Sequence, residues 1–219
     1  MCFPLPLSPA ELAHCRRTAA LSQSQLLAGL ADCSEPEVRT ITQSAFVHDI
    51  GKAEIPPSIL YKPGPLSSDE RKIIQTHTAI GAQALARTRG TMRTAAVVAL
   101  QHHERLDGSG YWGLRGSEIH PHARLVAVAD VVDALISPRA YKQPWGISRI
   151  RTYLTEQADV ELDGDIVRLL LDHMEQVLAL YPGEIRIDRA IHIQGNYTHR
   201  GRRNLHPCFY KRNSTSFTG

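Results

Sequence analysis

Six residues in the middle of the chain carry side chains of the kinds that can bind metal ions: His48, Asp49, His77, His102, His103 and Asp130. Imidazole nitrogens and carboxylate oxygens are the right donors for a site holding two transition-metal ions. Each of these residues also has an ordinary reading. His48-Asp49 stands where an apolar helix pattern ends, and alone it reads as a capped helix end with a surface histidine. His77 falls on an apolar helix face, where a satisfied core histidine is the default. His102-His103 closes a short apolar helix. Adjacent helical side chains diverge by about 100°, so one ion would rarely take both, whereas two neighbouring ions could take one each. A polar helix end explains that dipeptide equally well.

Asp130 is harder to explain blandly. Pro121–Ile136 is apolar on every side, the pattern of a buried central helix. Yet it carries Asp130 and Asp133, three apart and therefore on one face. A buried carboxylate is costly unless it meets a cation or a donor. A metal ion for Asp130 and a lysine or arginine for Asp133 would satisfy both. Structural salt bridges for both are the alternative.

The elements that must position these residues read as helices. Ala10 to about Leu30 shows helical spacing, and its His14 reads as a half-exposed helix histidine. Ser34 caps a second helix with Pro36 in its first turn. Val38, Ile41, Ala45 and Phe46 form its inward face, and His48-Asp49 lie at its end. Gly51 then suits a conformation that other residues resist. Four prolines in 53–66 exclude a long helix there and leave one helical turn around Ser58–Leu60. Ser67 and Glu70 make a capping box for a helix to about Thr88, with Ile73, His77, Ile80 and Ala84 on one stripe. Thr94–His103 and Pro121–Ile136 follow. Between them runs a glycine-rich loop, Glu104–Gly116, with Tyr111 and Trp112 at its centre. Two large aromatics there imply anchoring to the body, or a surface for a base or a protein partner. Arg139 and Lys142 flank Tyr141 just beyond the buried helix, where they could hold phosphate oxygens or form a solvated helix exit. Helices over Ile147–Gln157 and from Asp163 through Val177 read as packing elements, and His173 as structural.

Composition sets the frame. A length of 219 residues fits one domain with an appendage. The net charge of +3 hides an asymmetry, because residues from Gly183 onward carry seven Lys/Arg against two Asp/Glu. The body is therefore no surface for a nucleic-acid polymer. Residues 183–219 read as a basic tail with short strand-like stretches or disorder, and residues 1–9 as an irregular lead-in. Four cysteines without a CxxC pair point to a reducing cytoplasm. The opening residues make a poor signal peptide, and no apolar run approaches a membrane span.

With these strings in hand, residues from about 11 to 182 resemble the HD-GYP domain, a branch of the HD-type metal-dependent phosphohydrolases. The resemblance is carried by His48-Asp49-Ile50-Gly51-Lys52, Ile55-Pro56, Lys62-Pro63-Gly64-Pro65-Leu66 and His77. It continues through His102-His103-Glu104-Arg105-Leu106-Asp107-Gly108-Ser109-Gly110-Tyr111, Ala123-Arg124, Ala129–Leu135 and Arg139-Ala140-Tyr141-Lys142. It implies an all-α helical bundle of about seven helices over 10–182. It implies His48, Asp49, His77, His102, His103 and Asp130 as ligands of two divalent ions, with Asp49 bridging and iron or manganese favoured over zinc. It implies cyclic di-GMP as substrate, opened to pGpG, with GMP as a further product left open. Lys52 matches a lysine near the scissile phosphate, Arg139 and Lys142 match phosphate contacts, and Asp133 supports the site from behind.

Three departures from the pattern stand out. Gly-Tyr-Pro reads Gly110-Tyr111-Trp112 here, and the family links this loop to partner proteins. Some members use a glutamate four residues before a first-helix histidine for a third metal. Here His14 fits the histidine, but Ala10 stands at that position and Glu11 is one place off, so two ions are expected. No receiver or sensor segment precedes the catalytic region, so regulation is expected from a partner, or the chain is a shortened version. The competing functions are a non-enzymatic module binding cyclic di-GMP or a protein through Tyr111 and Trp112, and a phosphohydrolase for another nucleotide.

Overall fold

The structure is a computed structural model that describes residues 7–29, 33–88, 92–138 and 143–181. Arg139, Lys142 and the strand-like stretches of the tail lie outside these residues. Among the described residues the fold is all-α, and its only β-pairing is an isolated bridge between Ala158 and Leu162. The α-helices in chain order are α1 (Pro9–Gly29), α2 (Glu35–Val47), α3 (Pro57–Leu60), α4 (Ser68–Ala86) and α5 (Met92–Gln101). They continue with α6 (Pro121–Ile136), α7 (Ile147–Gln157), α8 (Gly164–Asp172) and α9 (Met174–Ala179). The expected count of about seven rises because α3 is a single turn of four residues. It rises again because the expected last helix breaks at His173, whose φ of −110° and ψ of 25° leave helical geometry.

Local chemistry explains most boundaries. Glu37 accepts hydrogen bonds from the N–H of Ser34 at 2.9 Å and from its hydroxyl at 2.7 Å, closing the start of α2. Ser67 and Glu70 exchange bonds of 3.2 and 2.7 Å at the start of α4. Asp163 accepts from the N–H of Ile166 and opens α8. Pro121 occupies the first turn of α6, where its missing N–H costs nothing.

Helix α6 is the axis of the molecule, buried on nearly every side. On one side Val128, Val132, Leu135 and Ile136 pack with Ile150 and Leu154 of α7, Ile166, Val167 and Leu170 of α8, and Val177 of α9. On another, Val126 meets Ala19, Ala45 and Val98. Small residues at that junction let α1, α2, α5 and α6 approach closely, as their mutual packing shows. The large aliphatics thus build the core on one side of α6, and the alanine-lined junction brings the histidine-bearing helices together.

In α4 the expected stripe is rotated. Ile73 is exposed and so is Ala84, whereas His77, Thr78, Gly81 and Leu85 are buried. The reason is the neighbour: α4 packs on α5 and on the 3-10 turn (Ile50–Glu54) that follows His48-Asp49, and a glycine and a threonine fit that close contact.

Candidate metal centre

His48 ends α2 in helical geometry, with φ −55° and ψ −34°, and Asp49 starts the 3-10 turn. Gly51 is required here, though not for an unusual backbone angle. A Cβ at this position would lie 1.9 Å from the carbonyl oxygen of His77 and 2.6 Å from the amide nitrogen of Gly81. The turn carrying Asp49 therefore lies backbone to backbone on the segment of α4 carrying His77. His102 and His103 follow α5, and Asp130 projects from the middle of α6.

Five of the six sequence-derived candidates gather with Asp49 at the centre, and Asp130 adjoins them through His14 and His103. Its Oδ1 lies 3.2 Å from His77 Nε2 and 3.6 Å from His102 Nε2. Its Oδ2 lies 3.3 Å from His48 Nε2, 3.6 Å from His14 Nε2 and 2.5 Å from Lys52 Nζ. Donor atoms of Asp49, His77, His102 and His103 all fall within 4.8 Å of one another, as do those of His14, His48 and Asp49. Asp49 belongs to both groups, one carboxylate oxygen turned to each.

The histidine tautomers follow from the backbone. Nδ1 of His48 lies 2.6 Å from the Ala45 carbonyl, Nδ1 of His77 2.6 Å from Ile74, and Nδ1 of His102 2.9 Å from Ala99. A carbonyl only accepts, so each Nδ1 carries the proton and each Nε2 turns a lone pair inward. Nε2 of His77 and Nε2 of His102 stand 3.4 Å apart. Two facing lone pairs repel unless a cation lies beside them or one ring takes a second proton. Burial opposes the second proton at His102, pushing its pKa down to about 4. His48 Nε2 and Asp49 Oδ1 are buried without a hydrogen-bond partner, and such an orphaned atom costs about 1–3 kcal/mol. A divalent ion answers each of these conditions, so the donor set fits one.

Burial also pushes the Asp49 carboxyl up, but Lys52 and His48 outweigh it and hold Asp49 well below the usual carboxylate range. Asp130 is likewise held low against burial, chiefly by His14. Lys52 itself is raised by its pairing with Asp49, against the lowering effect of burial.

His14 departs from its half-exposed reading. It is buried, with Nδ1 2.6 Å from Asp133 Oδ2 and Nε2 3.2 Å from Asp130 Oδ1. Burial alone would lower its pKa, yet hydrogen bonds to Asp130 and Asp133 raise it to about 9. The expected cation for Asp133 is Arg17, with Nε 2.6 Å from Oδ1. Tyr181 donates to the same oxygen at 2.8 Å. Asp133 is thus saturated and orients His14, while Asp130, one turn away, has among the described residues the longer contacts to His14 and His103. Sequence reading missed Arg17 and Tyr181 as parts of the site, and it connected His14 to the site only through the family's third-metal pattern while reading its helix position as half-exposed. One signal was available: His14 and Arg17 are three apart on α1, matching the spacing of Asp130 and Asp133. Glu11, which binds the N–H of Ser8 and the hydroxyl of Tyr61, both at 2.8 Å, is turned to other partners.

The loop aromatics do not form one outward surface. Tyr111 is half-buried with its ring 4.5 Å from that of His103, so it lines the site. Trp112 is 50% exposed and donates from Nε1 to Thr78 Oγ1 at 3.1 Å. Anchoring explains both residues, and Trp112 alone keeps a large outward face.

Comparison with known proteins agrees with this geometry. The sequence model of the HD domain matches residues 8–166. The 3'3'-cGAMP-specific phosphodiesterase 2 of Vibrio cholerae is 40% identical over 170 residues, which cover 77% of this chain and 32% of that protein. The cyclic di-GMP phosphodiesterase response regulator RpfG of Xanthomonas campestris is 43% identical over 160 residues, covering 70% of this chain and 42% of that protein. The chain thus spans well under half the length of these relatives. Among solved structures, Bd1817, a HDG"Y"P protein from Bdellovibrio bacteriovorus, matches with a TM-score of 0.59 at 21% identity, over 74% of this chain and 51% of that one. The PgpH HD domain of L. monocytogenes in complex with cyclic-di-AMP matches at 0.56 and 19%, over 84% and 100%. At these identities the two structures speak for the fold.

Proposed function

The chain belongs to the HD domain family, and from that premise we propose that it is a metal-dependent phosphodiesterase of the HD-GYP branch that opens cyclic di-GMP. Residues 10–182 are its catalytic domain. The observation that carries the reading is the shared carboxylate: Asp49 turns one oxygen to His77 and His102 and the other to His48 and His14. That arrangement suits two divalent ions on either side of Asp49, iron or manganese by the resemblance, with His103 and Asp130 completing the donors. Bound there, such ions supply Lewis acidity toward phosphoryl oxygens and lower the pKa of water.

The chain's own residues divide the remaining work. His48, His77 and His102 are fixed by their carbonyl partners and define a rigid floor. Side-chain exposure marks the open side: His103 is 20% exposed, Lys52 21% and Asp130 12%, whereas His48, His77, His102 and Asp49 are at most 2%. A cyclic dinucleotide therefore approaches from the side of Lys52 and His103. The Lys52 ammonium, anchored by Asp49, is placed to balance charge that builds on a phosphoryl oxygen. Arg139 and Lys142, beyond the end of α6, are proposed as further phosphate contacts. A linear product such as pGpG follows from cleavage of one of the two phosphodiester bonds.

A second cyclic dinucleotide is in competition, because the relative matched over 170 residues is specific for 3'3'-cGAMP. The test is turnover of cyclic di-GMP and 3'3'-cGAMP by manganese- or iron-loaded protein, with metal content measured on the same sample. Cyclic di-GMP is expected to be opened, and Asp49→Ala is expected to lose metal and turnover together. Loaded protein that binds both nucleotides and cleaves neither would instead make this a binding module. Preferential cleavage of 3'3'-cGAMP would move the substrate assignment.

A further inference from the structure

Of the five histidines in the cluster, four are fixed by hydrogen bonds through Nδ1, His14 to Asp133 and the other three to main-chain carbonyls, and one is not. His48, His77 and His102 each give Nδ1–H to a carbonyl of their own helix. His103 has no such bond among the described residues, and its Nδ1 lies 3.8 Å from Asp130 Oδ2. A donor ring that is free to turn does not present its lone pair in one direction. His103 is instead held between two rings. His102 lies on one side, with centroids 4.1 Å apart and planes at 43°, and Tyr111 packs on it at 4.5 Å and 42°. Packed between two rings, the imidazole has one orientation that keeps both contacts.

Tyr111 is itself tied down. Gly110 lies so close that a Cβ there would be 2.5 Å from Glu104 Cα and 2.8 Å from the carbonyl oxygen of His103. The loop thus folds back onto the residue it covers. The buried Glu104 carboxylate accepts the N–H groups of Trp112 and Leu114, each at 2.8 Å. Trp112 Nε1 reaches Thr78, the neighbour of His77. Where the resembled pattern has a proline, which stiffens the loop through its own ring, this chain has a side chain that reaches across to α4.

We infer that Tyr111 is a positioning residue that orients His103 toward the metal site, and that the Trp112–Thr78 hydrogen bond is the latch that keeps it there. The inference rests on the metal reading of the cluster. The experiment is manganese(II) binding to the full chain by equilibrium dialysis, for wild type, Tyr111→Phe, Tyr111→Leu, Tyr111→Ala, Trp112→Phe and Thr78→Val. Tyr111→Leu and Tyr111→Ala are expected to weaken binding by about 10-fold to 100-fold, the usual cost of losing a group that orients a ligand. Tyr111→Phe keeps the ring and is expected to bind as wild type, with the two latch variants between. Leu154→Ala serves as a control, expected to lower the melting temperature and leave manganese affinity in place. Should Tyr111→Ala fail to fold, Tyr111→Leu decides. Wild-type affinity in Tyr111→Leu overturns the inference, and so does a Tyr111→Phe variant as weak as Tyr111→Leu. Absence of manganese uptake by wild type overturns the metal reading, and this inference with it.

Discussion

The floor and the rim of the histidine cluster are built by opposite means. On the floor, His48, His77, His102 and Asp49 are almost fully buried, and each imidazole is aimed by a main-chain carbonyl one turn back. On the rim, His103 is held by ring packing, Lys52 by a carboxylate and His14 by the salt-bridged Asp133. Carbonyl-aimed donors cannot turn without giving up that hydrogen bond in a buried place, so the floor is set once the helices pack. Side-chain-aimed donors can be retuned by changing one neighbour. Under the proposed function, the floor would hold the ions and the rim would meet the substrate.

Four changes test that division, in falling order of expected effect. Replacing a floor ligand should do most harm: His102→Ala should cost at least about tenfold more manganese affinity than His103→Ala, read by dialysis. Equal losses would erase the distinction. Lys52→Met should keep bound metal and lower turnover by about 10²–10³-fold, the range for one lost charge-stabilising group. Metal loss in that variant would place Lys52 in the floor instead. Asp133→Asn should destabilise by about 3 kcal/mol, because it leaves Arg17 and His14 without their buried partner, as measured by denaturant unfolding. An unchanged midpoint would mean the triad is held from elsewhere. The smallest effect belongs to Glu70 of the α4 capping box. The Lys62 ammonium and the Ser67 N–H hold its pKa below the usual 4.5. The folded state thus favours the ionised form, so its contribution is present above pH 4.5 and is lost as the pH falls through the lower folded value. Glu70→Gln should lower the melting temperature slightly at pH 7 and progressively less as the pH is taken below 4.5, with metal binding untouched.

Much of the floor could be read in the sequence because its signals are local. Caps at Ser34 and Ser67 marked the starts of the helices that carry His48 and His77, and on the open side Asp130 was legible as well, because a carboxylate in an apolar helix required a partner. The rim was less legible. His14 looked half-exposed because the buried face of α1 is itself polar, with His14, Thr18 and Ser22 inside alongside Cys15, Ala19 and Leu21. Hydrophobic periodicity cannot identify an inward face made of such residues. The α4 stripe failed for a related reason: the face that packs against the Asp49 turn uses Thr78 and Gly81, which no hydropathy pattern marks as inward. Gly51 was singled out for backbone freedom, whereas its role is close approach, visible only once His77 is seen across from it.

That contact between Gly51 and His77 has a consequence for protein engineering. The gap between Asp49 and His77 is set by main chain resting on main chain, with no side chain in between to be repacked. Rebuilding the aliphatic core around α6 to raise heat tolerance should therefore leave the Asp49–His77 gauge unaltered. Both side chains also lie on one uninterrupted stretch, 48–81, so the two glycines and this stretch form the unit to carry over if half of the proposed site is to be transplanted.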